Sequence, residues 1–144
     1  MKFAIIGAGI VGLSIAETLI KKKIVSPENL IILDKYSVPS NGTSTHNSGV
    51  LHAGLYYKPG SLKAKLSIDG GHKLKNWCFE NNLPILKCGK LLVPFNKKDL
   101  VRLDNIFDNA NKNGCEVKKI DYSEAVKLQP GLTKQEKYLW SPNT

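Results

Sequence analysis

Phe3-Ala4-Ile5-Ile6-Gly7-Ala8-Gly9-Ile10-Val11-Gly12 stands at the start of the chain, and its reading decides the fold. Four apolar residues in a row fit a strand buried on both faces of a parallel sheet, because alternation disappears when neither face meets water. Glycines at G-x-G-x-x-G spacing follow at once. From Leu13 the apolar positions Leu13, Ala16, Leu19 and Ile20 recur at helical spacing, and Lys21-Lys22-Lys23 with Ser26-Pro27 close that segment. A second apolar run, Leu30-Ile31-Ile32-Leu33, ends at Asp34. Strand, glycine turn, helix, strand and acid make a βαβ unit.

Each part of that unit has a task at a dinucleotide. Gly7 permits a tight turn, Gly9 lets the backbone reach a pyrophosphate, and Gly12 lets helix and strand pack closely. Amides at the helix start, those of Ile10 and Val11 included, face the phosphates, where the helix dipole favours negative charge. Asp34 accepts hydrogen bonds from the adenosine ribose and repels a 2′-phosphate, which disfavours NADP. Lys35, next to it, is counted in the same site. A lone G-x-G-x-x-G is an ordinary glycine turn more often than a nucleotide site, so the flanking strands and the acid carry the argument. They do not choose between NAD and FAD.

The chain has 144 residues and 42% hydrophobic content, enough for a sizeable core and unlike a disordered segment. Its formal charge of +9 comes from scattered lysines, with Arg102 the sole arginine. The longest basic run lies at a helix end, where cations suit the dipole, so it reads as a solvated face and not as a nucleic-acid patch. Cys78, Cys88 and Cys115 have no metal-ligand spacing and read as reduced core thiols. The first residues lack the layout of a secretory signal, and no apolar run approaches the ~20 residues that cross a bilayer. A cytoplasmic protein is expected.

Beyond Asp34 the pattern changes. Residues 36–60 are rich in Ser, Thr, Asn, Gly and His, and a loop this long is usually functional. Ser61 caps an expected helix with Leu62, Leu66, Leu74, Trp77 and Cys78 on one face; Gly70-Gly71 is a weak spot or a close-packing point, and the helix ends near Asn81-Asn82. Residues 85–95 predict two short strands bent at Cys88-Gly89. Asn96 and Asp99 start a helix with the stripe Leu100, Leu103, Ile106, Phe107 and Ala110, stopped by Gly114. A strand at 117–120, a short helix at 123–128 and a strand at 138–141 complete the pattern. Trp77, Phe95, Phe107 and Trp140 read as core. Adjacent Tyr56 and Tyr57 read as packing residues with solvated hydroxyls.

Residues 46–66, HNSGVLHAGLYYKPGSLKAKL, resemble the L-2-hydroxyglutarate oxidase and dehydrogenase group of the D-amino acid oxidase-like (DAO) flavoproteins. The resemblance continues through KFAIIGAGIVGLSIAETL, through CGKLLVP at residues 88–94 and through the closing LWSPNT, so it covers essentially the whole chain. It implies an α/β fold: a Rossmann-like FAD-binding βαβ unit followed by the start of an α+β substrate domain, truncated. Members of this group are much longer, with a substrate domain threaded between segments of the FAD domain. The implied partition places residues 1–82 in the FAD-binding domain and 83–144 in an incomplete first segment of the substrate domain. One departure stands out: these flavoproteins commonly carry Glu where this chain has Asp34. Ribose binding survives that change on chemistry, while NAD is less firmly excluded.

The implied cofactor is FAD. Hydroxyls of Ser44 and Thr45 and nearby backbone amides suit the pyrophosphate and ribityl chain, and Gly49 lets main chain approach the isoalloxazine. Ser48 and Val50 on the same loop complete the expected cofactor contacts. An ordinary Ser/Thr-rich surface loop is the alternative. His46 and His52 are candidate catalytic bases, since an imidazole titrating near neutrality can take the substrate hydroxyl proton as hydride leaves for flavin N5. Both can equally donate hydrogen bonds that shape the loop. His52 is favoured for a place beside the flavin, and His72 for the surface; His46 is also counted among the cofactor contacts, with covalent anchorage as a minor alternative.

The implied reaction is oxidation of an L-2-hydroxy acid, L-2-hydroxyglutarate to 2-oxoglutarate, with quinone or oxygen as electron acceptor. Peripheral contact with the inner membrane is compatible with the full-length parent. A dicarboxylate calls for positioned cations, and Arg102 sits on an expected exposed helix face, so its clamps come from lysines or from sequence outside this chain. Other readings are a glycerol-3-phosphate dehydrogenase or amino acid oxidase of the same superfamily, or, from a different class, an NAD-binding dehydrogenase domain or a noncatalytic nucleotide sensor. Flavin absorption separates the last two.

Overall fold

The apolar run forms a strand, β1 (Phe3–Ile6), paired in parallel with β2 (Leu30–Leu33) and joined to it by helix α1 (Ile10–Lys21) in a computed structural model that describes all residues from Met1 to Thr144. The register sets Phe3 against Leu30 and Ile6 against Leu33. A single 3-10 turn at Pro27–Asn29 leads into β2.

The two strands are not buried on both faces, contrary to the expectation from their unbroken hydrophobicity. Phe3, Ile5, Leu30 and Ile32 are half-buried, while Ile6 is 90% and Ile31 54% exposed. A parallel sheet is buried on both faces only when crossovers cover both, and this chain supplies one crossover helix.

The chain divides into two compact units, Met1–Gly49 and Val50–Thr144. The boundary lies inside the polar loop. The expected partition at 82/83 concerns the domains of longer relatives and falls within the second unit.

That second unit begins with α2 (Leu62–Glu80), capped by Ser61, whose hydroxyl accepts the Ala64 amide at 3.2 Å. The face it buries is not the leucine stripe. Leu62 and Leu66 are 74% and 66% exposed, whereas Ala64 and Gly71 are buried and Ile68 joins the core. The small face wins because the loop backbone comes close: a Cβ on Gly71 would lie 3.7 Å from the His52 carbonyl, and one on Gly54 2.7 Å from Ile68.

Strand β3 (Lys90–Leu92) follows, then α3 (Lys97–Lys112), β4 (Lys118–Ile120), α4 (Tyr122–Leu128) and β5 (Tyr138–Ser141). The antiparallel sheet has the order β3-β5-β4. Residues 85–87 are not a strand, although their pattern predicts one; the chain joins the sheet only at Lys90, where β3 pairs with β5. The bend at Gly89 is real, with φ +65° and the Trp140 ring filling the space where a Cβ would sit.

Helix α3 behaves as its stripe predicts, burying Leu103, Ile106 and Ala110 against Leu55, Leu92 and Leu139. Asn96 caps it by accepting the Asp99 amide at 3.0 Å. On α4 the cap is Asp121, in a reciprocal box with Glu124. Two core assignments fail. Phe95 is 83% exposed because the preceding Pro94 takes the buried position, and Cys88, outside the edge strand, is also exposed. No helix is long and apolar enough to cross a membrane.

Candidate functional site

At the carboxyl ends of β1 and β2 the first unit holds a cleft of about 490 Å³. Gly7, Gly9, Asp34 and Lys35 line one side, and Ser40 to Ser44 line the other. Ile6 and Leu33 give it an apolar wall. This is the place where open α/β sheets receive ligands, since crossover loops part there and helix N-termini point in.

The glycines are there for space and for backbone freedom. Gly7 donates to the Leu33 carbonyl at 2.7 Å and then turns with φ +106°, a conformation L side chains resist. A Cβ on Gly12 would lie 1.9 Å from the Gly7 carbonyl oxygen and 3.2 Å from Ile5, so α1 can approach β1 only without it. A Cβ on Gly9 would lie 3.0 Å from the Ser44 hydroxyl, narrowing the cleft.

Helix α1 has Gly9 at its N-cap and no side chain of its own to cap it. Ser44, 34 residues on, does so instead: its hydroxyl accepts the Ile10 amide at 2.9 Å. First-turn amides of a helix have no intrahelical acceptor, and Val11 in that turn is 70% exposed. Gly9, the N-cap, lines the cleft, so the helix dipole gives it a positive end.

Asp34 supplies the negative end. Its Oδ2 accepts the Ala8 amide at 2.6 Å and its Oδ1 accepts the Tyr36 amide at 2.9 Å. These bonds, Tyr36 first, favour the ionised form and hold the carboxyl below its ordinary value. Lys35 places its ammonium over the Tyr36 ring, 4.9 Å from the centroid, at the same mouth.

The polar loop is built on itself. Ser40 donates its amide to the Ala8 carbonyl at 2.9 Å. Thr45 donates its hydroxyl to the Ser40 carbonyl at 2.9 Å, so that hydroxyl is engaged inside the loop. The His46 Nδ1 lies 2.8 Å from the Gly42 carbonyl, which can only accept; Nδ1 therefore carries the proton, and in the neutral ring Nε2 is the acceptor. Asn47 bridges the Ser44 carbonyl and the Gly49 amide at 2.9 and 2.8 Å. Ser48 is exposed, and Gly49 has φ +63°.

Among the expected site residues, Gly7, Gly9, Asp34, Lys35 and Ser44 line one cleft; Ile10, Val11 and Gly12 form the first turn of α1, outside its lining. Thr45 and His46 brace the loop behind Ser44. Val50 and His52 are exposed and belong to the second unit. There His52, His72, Lys75 and Cys115 border a separate small cleft of about 110 Å³. Tyr36, Ser40, Asn41, Gly42 and Thr43 line the main cleft and were not singled out from sequence. The only sequence signal for them was the polar composition of the loop, which does not say which hydroxyl points inward.

Residues 2–144 match the family model described as FAD dependent oxidoreductase (DAO). The chain is 40% identical to the mitochondrial L-2-hydroxyglutarate dehydrogenase of Caenorhabditis elegans over 97% of its own length, which is 32% of that protein. It is 37% identical to the L-2-hydroxyglutarate dehydrogenase of Escherichia coli K12, covering 91% of this chain and 31% of that protein. The chain thus spans about a third of the length of the curated relatives it matches. Among solved structures it superposes on an FAD-bound L-alpha-glycerophosphate oxidase from Mycoplasma pneumoniae with TM-score 0.82 at 23% identity, over 98% of this chain and 37% of that one. A glycine oxidase from Geobacillus kaustophilus gives TM-score 0.81 at 18% identity, over 97% of this chain and 38% of that one.

Proposed function

The chain belongs to the DAO family of FAD-dependent oxidoreductases, and from that premise we propose that it forms the N-terminal, FAD-holding part of an enzyme oxidising L-2-hydroxyglutarate to 2-oxoglutarate. The observation that carries the substrate is the 40% identity to an L-2-hydroxyglutarate dehydrogenase along 97% of the chain.

The residues present fit the cofactor. Gly9 leaves the room beside Ser44 that a diphosphate needs, and a Cβ there would take it. Open amides at the start of α1 suit the phosphates, the ionised Asp34 suits ribose hydroxyls, and the wall of Ile6 and Leu33 suits the flat face of adenine. Bound FAD supplies a two-electron acceptor for the hydride from the substrate's hydroxyl-bearing carbon.

Around that acceptor the chain's residues take these parts. Gly7, Gly9, Ile10, Val11 and Gly12 present backbone to the diphosphate; Asp34 and Lys35 border the adenosine. Ser44 offers its hydroxyl proton to a phosphate oxygen while its lone pair keeps the Ile10 amide. Thr45, His46, Ser48, Gly49 and Val50 carry the main chain toward the flavin ring. His52 accepts the substrate hydroxyl proton, with His46 Nε2 as the second candidate. Residues 1–82 serve the FAD domain and 83–144 begin the substrate domain, and the carboxylate clamps come from lysines or from sequence outside this chain. Quinone or oxygen would be the electron acceptor of the intact enzyme.

Purification of the intact gene product tests this reading. Flavin absorption together with turnover of L-2-hydroxyglutarate, and not of its D enantiomer, glycerol 3-phosphate or glycine, is expected. A flavin-free protein that cannot be reconstituted, or flavoprotein activity confined to another of those substrates, would overturn it.

A further inference from the structure

The glycine turn carries an unusual pair of anchors. Ala8, buried between Gly7 and Gly9, has its amide bound by Asp34 at 2.6 Å and its carbonyl bound by the Ser40 amide at 2.9 Å. Glycine on both sides would leave this turn free to sample many backbone conformations. Two bonds on the residue between them, one from the end of β2 and one from the polar loop, remove that freedom. The other oxygen of the carboxylate accepts the Tyr36 amide at 2.9 Å, and the preceding Leu33 carbonyl takes the Gly7 amide at 2.7 Å.

We propose that Asp34 is a positioning residue for the glycine turn: with Ser40 it clamps the two peptide groups flanking Ala8 and sets the turn in its phosphate-facing shape before a nucleotide arrives. The inference rests on the FAD reading of the cleft and deepens it, because it gives Asp34 a task separate from meeting ribose. Meeting ribose does not require the carboxylate to accept a glycine-turn amide, as Asp34 does at 2.6 Å. Preorganisation of this kind strengthens binding by removing the ordering cost from the binding step.

The test uses the intact gene product, stripped of flavin, as wild type and as Asp34→Asn, whose side chain has one acceptor oxygen for two amides. Hydrogen exchange at Ala8 is read by mass spectrometry of the peptide containing it, with Phe3–Ile6 as internal control, and inorganic pyrophosphate serves as a ligand without ribose. Loss of a charge-assisted hydrogen bond is expected to raise Ala8 exchange about tenfold and to weaken pyrophosphate about tenfold. Removing a negative charge would by itself strengthen pyrophosphate binding, so the expected sign is the opposite of the electrostatic one. If Asp34→Asn does not fold, Asp34→Ser, with one hydroxyl acceptor, is read the same way.

Unchanged Ala8 exchange with unchanged or tighter pyrophosphate, and weakening of FAD alone, would overturn the inference and leave the FAD reading intact. A wild-type protein that takes up neither flavin nor pyrophosphate overturns both.

Discussion

The Ala8 amide donates to the Asp34 carboxylate at 2.6 Å across 26 residues of chain, tying the glycine turn to the end of the second strand. The bond joins a backbone donor that a nucleotide site needs oriented to a side chain that such a site needs ionised. Its strength therefore depends on the charge of Asp34.

That dependence gives a pH prediction. The Tyr36 and Ala8 amides hold the folded-state carboxyl of Asp34 below its ordinary value. A depressed folded value means the stabilisation is present above the ordinary carboxylate range and is lost as pH falls through the folded value. Urea midpoints of the intact gene product should fall toward acid, and Asp34→Asn should fall less steeply over the same range. An acid limb of equal slope in both proteins would refute the assignment.

Gly12→Ala places a methyl group 1.9 Å from the Gly7 carbonyl oxygen, a backbone atom that cannot rotate away. Overpacking of this sort costs about 1–3 kcal/mol, and here the strain falls on the diphosphate turn itself. A lowered melting temperature together with reduced flavin content after purification is the expected pair of results. Full flavin occupancy at unchanged stability would show that α1 can shift away from β1.

Gly89→Ala tests the second unit independently. Its φ of +65° disfavours any side chain, and the new methyl would lie 2.1 Å from the Trp140 ring. Destabilisation by about 1–3 kcal/mol in denaturant titration is expected, and Trp140→Leu in the same chain should recover part of it. Additive losses in the double variant would mean that the two residues do not share the strain.

The histidines should separate by phenotype. His46, bonded to the Gly42 carbonyl at 2.8 Å, braces the loop that carries Ser44, so His46→Ala should lower flavin content. His52→Ala should retain flavin and lose about 10²-fold or more in kcat, the usual scale for a general base. Flavin absorbance and steady-state rates on the same preparations decide the matter. Full turnover in His52→Ala would remove it from proton transfer.

The 144-residue polypeptide expressed alone should aggregate and show no turnover. Ile6, Ile31 and Leu33 lie exposed on one face of its parallel sheet, and Phe79, Leu86 and Phe95 are exposed in the second unit. Light scattering and an activity assay check this. A yellow, active monomer of this length would contradict it.

Much of this molecule was legible along the chain. The βαβ order, the caps at Ser61 and Asn96, the buried stripe of α3 and the strand at 138–141 all follow from spacing within a few residues of each other. Where the reading failed, the missing information was the partner. Leu62 and Leu66 looked like a core stripe, yet the helix buries Ala64, Ile68 and Gly71 because loop backbone lies against them. Residues 85–87 had strand character, yet the chain pairs into the sheet only from Lys90.

What the sequence determined by itself was local: glycine spacing, helical and strand periodicity, and an acid at the end of the second strand, each set by near-neighbour sterics and hydrophobic pattern. Only the tertiary structure decided that Asp34 binds the Ala8 amide, that Ser44 caps a helix 34 residues earlier, and which hydroxyls are turned inward. Hydrogen bonds across such distances depend on where the fold brings the chain back, and a directional bond of under 3 Å leaves no trace in a linear pattern.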